Sequence, residues 1–272
     1  MSLSGKTLFI TGASRGIGRE IALKAAADGA NIVVAAKSAE AHAKLPGTIF
    51  SVADEIIAAG GKALPLQLDV RDEEAVKVAM AQAAEHFGGI DALINNAGAI
   101  RLKGVEHLEP KRYDLMFQIN TRAVMVCSQA ALPYLKQTQG HILSLSPPLN
   151  LDPKWFASYG PYTTTKYGMS MLTLGMHEEF KKYGISVNSL WPKTVIATAA
   201  IEFEAGGPAV MKAARLPAIM ADAAYAILSS SERSISGRLL IDEEILREQG
   251  QTDFEQYRYD PAGKLMTDLF VD

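Results

Sequence analysis

The segment Thr11-Gly-Ala-Ser-Arg-Gly-Ile-Gly18 constrains the fold more than any other stretch of the chain. It follows Lys6-Thr-Leu-Phe-Ile10, an apolar run that reads as a buried strand. It precedes Arg19-Glu-Ile-Ala-Leu-Lys-Ala-Ala-Ala27, built from good helix formers. Ile17, Ile21 and Ala25 recur every four residues, as a packed helix face requires. A glycine turn between strand and helix suits a pyrophosphate, because unpaired N–H groups at the helix start face the anion. Gly12 permits a tight turn, Gly16 a close backbone approach and Gly18 close packing of helix on strand. Ser14, Arg15 and Ile17 complete this candidate dinucleotide-binding set. An ordinary turn is the bland alternative. The turn lacks the Gly-Lys-Ser/Thr ending of a P-loop, which argues against ATP or GTP hydrolysis.

The second strand, Asn31-Ile-Val-Val-Ala-Ala36, ends at Lys37. An NAD-specific site usually places Asp or Glu here to hold the ribose 2′-hydroxyl. Lys37 and Arg15 instead offer two cations, which suit a 2′-phosphate, so NADP(H) is preferred to NAD(H). A solvated strand end is the alternative reading of Lys37.

Tyr162 and Lys166 lie four residues apart, so on a helix they share a face. A free phenol, with a pKa of about 10, is a poor proton donor or acceptor at neutral pH. A neighbouring cation favours the phenolate and draws its pKa toward working pH. Alone, the pair also reads as a bland surface pair, and it gains meaning only beside the glycine turn.

Strand and helix patterns alternate along the chain. An insertion at 38–47 precedes a helix at 51–59, closed by Gly60 and Gly61. Residues 63–68 read as a strand, with Pro65 against it, and Asp72 caps a helix to Phe87. A strand at 91–94, a long helix from about Pro110 through Tyr134 and a strand at 141–144 follow. A second long helix covers roughly Tyr159 to Tyr183, then come a strand at 185–190, a helix opened by Pro217 and a strand at 238–241. The expected fold is α/β: a Rossmann-type, doubly wound parallel sheet with helices on both faces, in a single domain over 1–272. Its last portion, 239–272, is a C-terminal strand and extension.

The net charge of −3 offers no broad basic field for nucleic acid. No apolar run approaches the roughly 18 residues of a membrane span. The single cysteine, Cys127, sits in an apolar stretch and reads as a core residue. The histidines at 42, 86, 107, 141 and 177 lack metal-ligand spacing, so no metal site is expected. With no signal peptide read at the start, a reducing cytoplasm is the expected location.

With the glycine turn, Tyr162 and Lys166 in hand, the chain resembles the short-chain dehydrogenase/reductase family over roughly Lys6 to Asp242. The further motifs are Asp69-Val70, Asn95-Asn-Ala-Gly98 and Asn120. Ser146-Pro-Pro-Leu-Asn-Leu-Asp-Pro153 and Leu190-Trp-Pro-Lys-Thr194 resemble one branch, some of whose members add a sterol-carrier domain that this chain is expected to lack. The resemblance implies that Asp69 holds the adenine amino group and that Val70 lines the adenine site. Asn95, Asn96, Ala97 and Gly98 would pack under the cofactor, with Pro192 beside the nicotinamide. Asn120 would anchor a proton relay. Lys166 would hold the nicotinamide ribose and depress the pKa of Tyr162. Tyr162 would exchange the proton at the substrate oxygen while hydride moves. Helix caps are the alternative readings of Asp69 and Asn120.

Three departures stand out. The family's substrate-binding serine falls on Pro147, which has no side-chain donor and no N–H. Ser146, beside it, is the catalytic substitute or a loop-capping serine. Lys193 stands where relatives have glycine, Asp242-Glu-Glu244 stands where many carry Asp-Gly-Gly, and the tail to Asp272 either covers the active site or joins an oligomer interface. Lys193 is open to phosphate, substrate carboxylate or solvent. Trp155, Phe156 and Tyr159 form an apolar substrate wall or pack their own loop.

Two functions remain. One is an NADP(H)-dependent oxidoreductase for a lipophilic carbonyl/alcohol pair. The other is a catalytically weak NADP(H)-binding sensor or scaffold. By resemblance, the long helices at 111–135 and 159–183 make a homodimer or homotetramer, with Ala123, Val124, Met171 and Met176 as apolar contacts or intrachain core.

Overall fold

The strands Thr7–Thr11 (β1) and Asn31–Ala36 (β2) are buried at every position, which demands a covering layer on both faces of the sheet. The computed structural model describes residues 2–42, 45–204, 206–230 and 235–272. The remaining strands are Lys62–Gln67 (β3), Ala92–Asn95 (β4), His141–Ser144 (β5), Ser186–Trp191 (β6) and Leu239–Ile241 (β7). All pair in parallel, in the order β3-β2-β1-β4-β5-β6-β7. The chain runs outward from β1 to β3 and then restarts at β4 on the other side of β1. That reversal opens a crevice at the C-terminal ends of β1 and β4, where ligands of such sheets bind.

Side chains alternate across the sheet as strand geometry requires. Leu8, Ile10, Ile32, Val34 and Ile94 enter one core; Phe9, Val33, Leu93 and Ile142 enter the other. The helices are Gly16–Ala27 (α1), Ile49–Ala58 (α2), Glu73–Phe87 (α3), Pro110–Phe117 (α4), Ala123–Thr138 (α5), Lys154–Ala157 (α6) and Gly160–Phe180 (α7). Ala199–Glu204 (α8), Gly207–Lys212 (α9), Ala218–Leu228 (α10) and Asp242–Glu248 (α11) follow. Pro65 does not disrupt β3, because β3 is the sheet edge, where a missing N–H is tolerated.

Several boundaries differ from the sequence expectation for local reasons. The helix expected at 51–59 begins at Ile49, because Thr48 caps it reciprocally with Ser51. The insertion at 38–47 includes Ala43 and Lys44, which lie outside the described residues. The long helix from Pro110 is interrupted by a π-helical turn, Gln118–Arg122, an irregularity that periodicity does not reveal. Asp242-Glu-Glu244 opens α11 directly after β7, so the extension starts helical. Of the residues considered for an oligomer contact, Ala123, Val124 and Met176 are buried in the intrachain core, while Met171 is exposed. Phe117 on α4, Met125 on α5 and Leu174 on α7 are also exposed.

Candidate active site

The turn after β1 is shaped by contacts that exclude side chains. Gly12 has φ +68, and a methyl built there would lie 2.9 Å from Ala97 Cα and from Asn96 Nδ2. A methyl at Gly18 would collide with Asn96 Nδ2 and sit 2.7 Å from Gly12 O. Asn96 Nδ2 donates to Thr11 O (2.9 Å) and Gly12 O (3.0 Å). The Asn96 and Ala97 amides donate to Thr11 Oγ1 at 3.0 and 3.1 Å. Thr11 thus joins the two strand ends, a role its place in the motif did not disclose. At Gly16, φ +57, a methyl would meet only the Thr198 side chain, at 3.5 Å or more. Helix α1 has no side-chain cap and no acid in its first turn. Open space over uncapped N–H groups fits the pyrophosphate of a dinucleotide.

Ser14 is buried, and the Arg15 guanidinium is held by the insertion: it donates to Pro46 O (3.1 Å), Gly47 O (2.8 Å) and Leu45 O (3.4 Å). Lys37 is 73% exposed and lies 3.4 Å from Asp69 Oδ2. Asp69 accepts from Arg71 Nε (2.9 Å), Nη2 (2.5 Å) and the Arg71 amide (3.1 Å). These bonds hold the Asp69 carboxyl far below the usual carboxylate range. Arg71 is therefore a further cation at this edge, missed because no motif marks it. Val70 is buried in the core below.

Asn120 lies in the π turn and is fully buried. Its Oδ1 accepts from the Ala99 amide (2.8 Å), and its Nδ2 donates to Ala99 O (3.0 Å) and Thr165 Oγ1 (3.0 Å). Thr165 Oγ1 donates on to Tyr162 O at 2.8 Å, and Thr121 Oγ1 donates to Thr165 O at 2.8 Å. The widened turn is thus tied to the stretch of α7 that carries Tyr162 and Lys166. Gly98 packs beside Asn120.

Lys166 is buried; its Nζ donates to Leu145 O (2.6 Å), contacts Met169 Sδ (3.3 Å) and lies 4.9 Å from the Trp191 ring centroid. Burial lowers its pKa to about 7. The Tyr162 phenol is pushed up, first by burial and then by the nearby Asp268 charge. This is the opposite direction to the one expected from a neighbouring cation. The aromatic side chains packed over the phenol desolvate it, and a lysine that burial itself discharges offers less compensation.

Ser146 is fully buried and its hydroxyl has no partner. Strand β5 ends at Ser144, and the Ser146 amide turns back to Ser144 O (3.0 Å), so strict strand alternation does not reach Ser146. Ser144 and Ser189, paired in register, also have unpartnered hydroxyls. Pro147 contributes its carbonyl to Ser170 Oγ at 2.6 Å.

Pro192 is buried after β6. Lys193 is engaged by α11: its amide donates to Asp242 Oδ1 (2.9 Å) and its Nζ to Glu243 Oε1 (3.1 Å). Burial would raise the Glu243 carboxyl, but hydrogen bonds from Arg215 (2.6 Å), Arg247 and Lys193 bring it down to about 2. Asp242, buried, is pushed up to about 6.

The tail covers this site. The Val195 amide donates to Met266 O and the Asp268 amide to Lys193 O, both at 3.0 Å, which lays 266–268 against 193–195. Phe270 then enters among Trp155, Tyr162, Tyr167 and Trp191 and is 1% exposed. The burial of Phe270 puts the tail over the candidate site, the first of the two places its sequence allows.

The sequence profile of short chain dehydrogenases matches residues 6–205. Hydroxysteroid dehydrogenase-like protein 2 of Xenopus laevis is 56% identical over 99% of this chain, which spans 64% of that relative's length. A solved structure from Xanthomonas campestris superposes with a TM-score of 0.96 at 51% identity, covering 100% of both chains. A short chain dehydrogenase from Burkholderia cenocepacia, solved in complex with NADP, gives 0.76 at 30% identity over 89% of this chain and 97% of its own. A profile match over most of the length, together with this overlap at high identity, shows that the chain belongs to the short-chain dehydrogenase family.

Proposed function

We propose that the protein is an NADP(H)-dependent oxidoreductase interconverting a carbonyl and an alcohol on a lipophilic substrate. The observation that carries this reading is Tyr162 and Lys166 on one buried stretch of α7, tied to Asn120 through Thr165. The glycine turn at Gly12, Gly16 and Gly18, with Ser14, Ile17 and the 95–98 segment, would hold the dinucleotide. The nicotinamide would supply or accept the hydride. Tyr162 gives its proton to the carbonyl oxygen in reduction and takes it back in oxidation. Lys166, which donates to Leu145 O, would hold the ribose hydroxyls and carry its charge beside the phenol. Ser146 has a free hydroxyl to donate to the substrate oxygen. Asn120 keeps the relay end of α7 in position.

Lys37 at the end of β2 and Arg71 beside it support a 2′-phosphate and hence NADP(H). Asp69 and Val70 would border the adenine, and Pro192 the nicotinamide. A homodimer or homotetramer through the α4–α5 and α7 faces is supported by exposed Phe117, Met125, Met171 and Leu174. No helix among the described residues is long and apolar enough to cross a membrane. A cytoplasmic location is part of the same proposal.

The test is NADPH oxidation over a panel of lipophilic carbonyls, wild type against Tyr162→Phe. Turnover abolished by the substitution is the expected result; equal turnover in both would reject Tyr162 as the acid. A catalytically weak sensor or scaffold is the second reading, favoured by Pro147 and by the covered Tyr162. NADPH binding with no turnover across the panel would favour it.

A further inference from the structure

Four aromatic rings on three separate elements converge on one place. Trp155 comes from α6, Tyr162 and Tyr167 from α7, and Trp191 from the end of β6. Their ring centroids lie 5.7, 6.3, 5.2 and 5.9 Å from that of Phe270. The Phe270 ring is tilted by only 27° from Tyr162 and is stacked on it. These are the separations at which aromatic rings attract one another beyond simple burial. A box of this size and composition accepts one flat apolar group.

Its present occupant is held in a way that suggests exchange. Phe270 has φ +70, a left-handed conformation that side chains bearing a Cβ rarely adopt. The antiparallel backbone pairing of the tail ends at Asp268. Beyond it, Trp191 Nε1 donates to Leu269 O at 2.9 Å. Asp272 then pairs with Asn150 (2.9 Å) and Lys154 (2.5 Å). Both charged partners are at least half exposed, where such pairs hold little. Beyond the paired stem, the segment from Leu269 onward is held by the Trp191 hydrogen bond, an exposed ion pair and the seat of the Phe270 ring in the box, and Phe270 itself is strained.

The proposed acid, Tyr162, needs a substrate oxygen within hydrogen-bond reach of its hydroxyl. A group attached close to that carbonyl then falls against the Tyr162 ring and its neighbours, the volume Phe270 fills. We propose that this aromatic box is the substrate subsite for a phenyl-sized, flat apolar group carried next to the carbonyl, with Phe270 as its built-in occupant that withdraws when substrate enters. The inference rests on the oxidoreductase reading for the position of the carbonyl. A straight alkyl chain of equal carbon number fills the box poorly, because it offers no flat face to the surrounding rings.

Trp155 and Trp191 are the chain's only tryptophans, and both touch Phe270, so their fluorescence reports the box without any need for turnover. The 272-residue chain, with NADP⁺ present, is titrated with 1-phenylpropan-2-one and with 2-nonanone. The proteins compared are wild type, Phe270→Ala and Asp272→Ala. Emptying the box removes the cost of expelling its occupant, so Phe270→Ala should bind the aryl ketone about tenfold more tightly than wild type. The gain for 2-nonanone should be smaller. Asp272→Ala leaves the box intact and should shift binding in the same direction, which keeps the test open if Phe270→Ala fails to fold. Aryl ketone binding unchanged in both variants, or a preference for 2-nonanone, would overturn the proposal. Selective aryl binding without NADPH oxidation would uphold the subsite and reject the catalytic reading instead.

Discussion

Asn120 Nδ2 donates to Thr165 Oγ1 at 3.0 Å, across from the π turn to the helix that carries Tyr162 and Lys166. Thr165 passes the contact on to Tyr162 O. Asn120→Ala leaves the half-buried Ala99 amide and carbonyl without their side-chain partner, at a cost of about 1 kcal/mol. The midpoint of denaturant unfolding should fall accordingly, with NADPH turnover falling further than NADPH affinity. Thr165→Val removes the same link from the other side and should reproduce the stability loss in part. Unchanged unfolding in both variants would refute the brace.

Lys37, exposed after β2, is a cation proposed to meet the 2′-phosphate. Lys37→Ala should weaken NADPH binding about tenfold, as loss of a charge-assisted hydrogen bond does, and leave NADH binding unchanged. Arg71→Ala should act in the same direction and also free the Asp69 carboxylate. Calorimetric titration with each nucleotide separates these outcomes. Equal loss for NADPH and NADH would point to a structural role for the lysine.

His141 gives a pH dependence with a definite sign. Asn188 Oδ1 accepts from the Arg238 amide, and its Nδ2 donates to Ile235 O, so the amide orientation is fixed. Nδ2 also faces His141 Nε2 at 3.0 Å, which must then accept and belong to a neutral ring. Burial lowers the His141 pKa from 6.5 to about 4. The unfolded chain therefore binds more protons between these values. The stability contributed by the neutral ring is full above pH 6.5 and is lost as pH falls toward 4, an effect of about 2 kcal/mol allowing for partial exposure. Denaturant unfolding followed from pH 7 to 4 checks it, and His141→Gln should flatten that part of the profile.

Arg215 and Glu243 are both buried and meet at 2.6 Å, with Lys193 and Arg247 on the same carboxylate. Glu243→Gln keeps the shape but strands the Arg215 charge, which should cost about 3 kcal/mol. Because this network joins the loop after β6 to α11, the loss should loosen the stretch 193–197. Hydrogen exchange of the Val195 and Ala197 amides, which pair with Met266 and Arg215, should speed up in the variant. Exchange unchanged from wild type would count against the link.

Much of the scaffold was readable because its causes are local. The apolar runs of β1 and β2 imply a sheet covered on both faces, and the glycines at 12 and 18 imply a turn with no room for a Cβ. Asp72 announced α3 as a cap, and its side chain does accept from the Ala75 amide. The π turn at Asn120 was not readable, since its residues fit a regular helix equally well and packing against Thr165 selects the wider turn.

The candidate site was legible as a set of proposed residues but not as an arrangement. Spacing alone put Tyr162 and Lys166 on one face of a helix, and it also suggested that the lysine would lower the tyrosine's pKa. The fold reverses that direction, because Phe270, more than a hundred positions away in the chain, packs over the phenol and removes water from it. Lys193 was likewise an open cation in the sequence and becomes the partner of Glu243 only once α11 is folded against the loop after β6. The chain's own order of residues determined the parallel sheet and the glycine turn, and it marked the proposed reactive groups, since each follows from patterns spanning a few residues. Solvation, and with it charge state and access to the site, was decided by the tertiary structure, because burial sums contributions from segments that are neighbours only after folding.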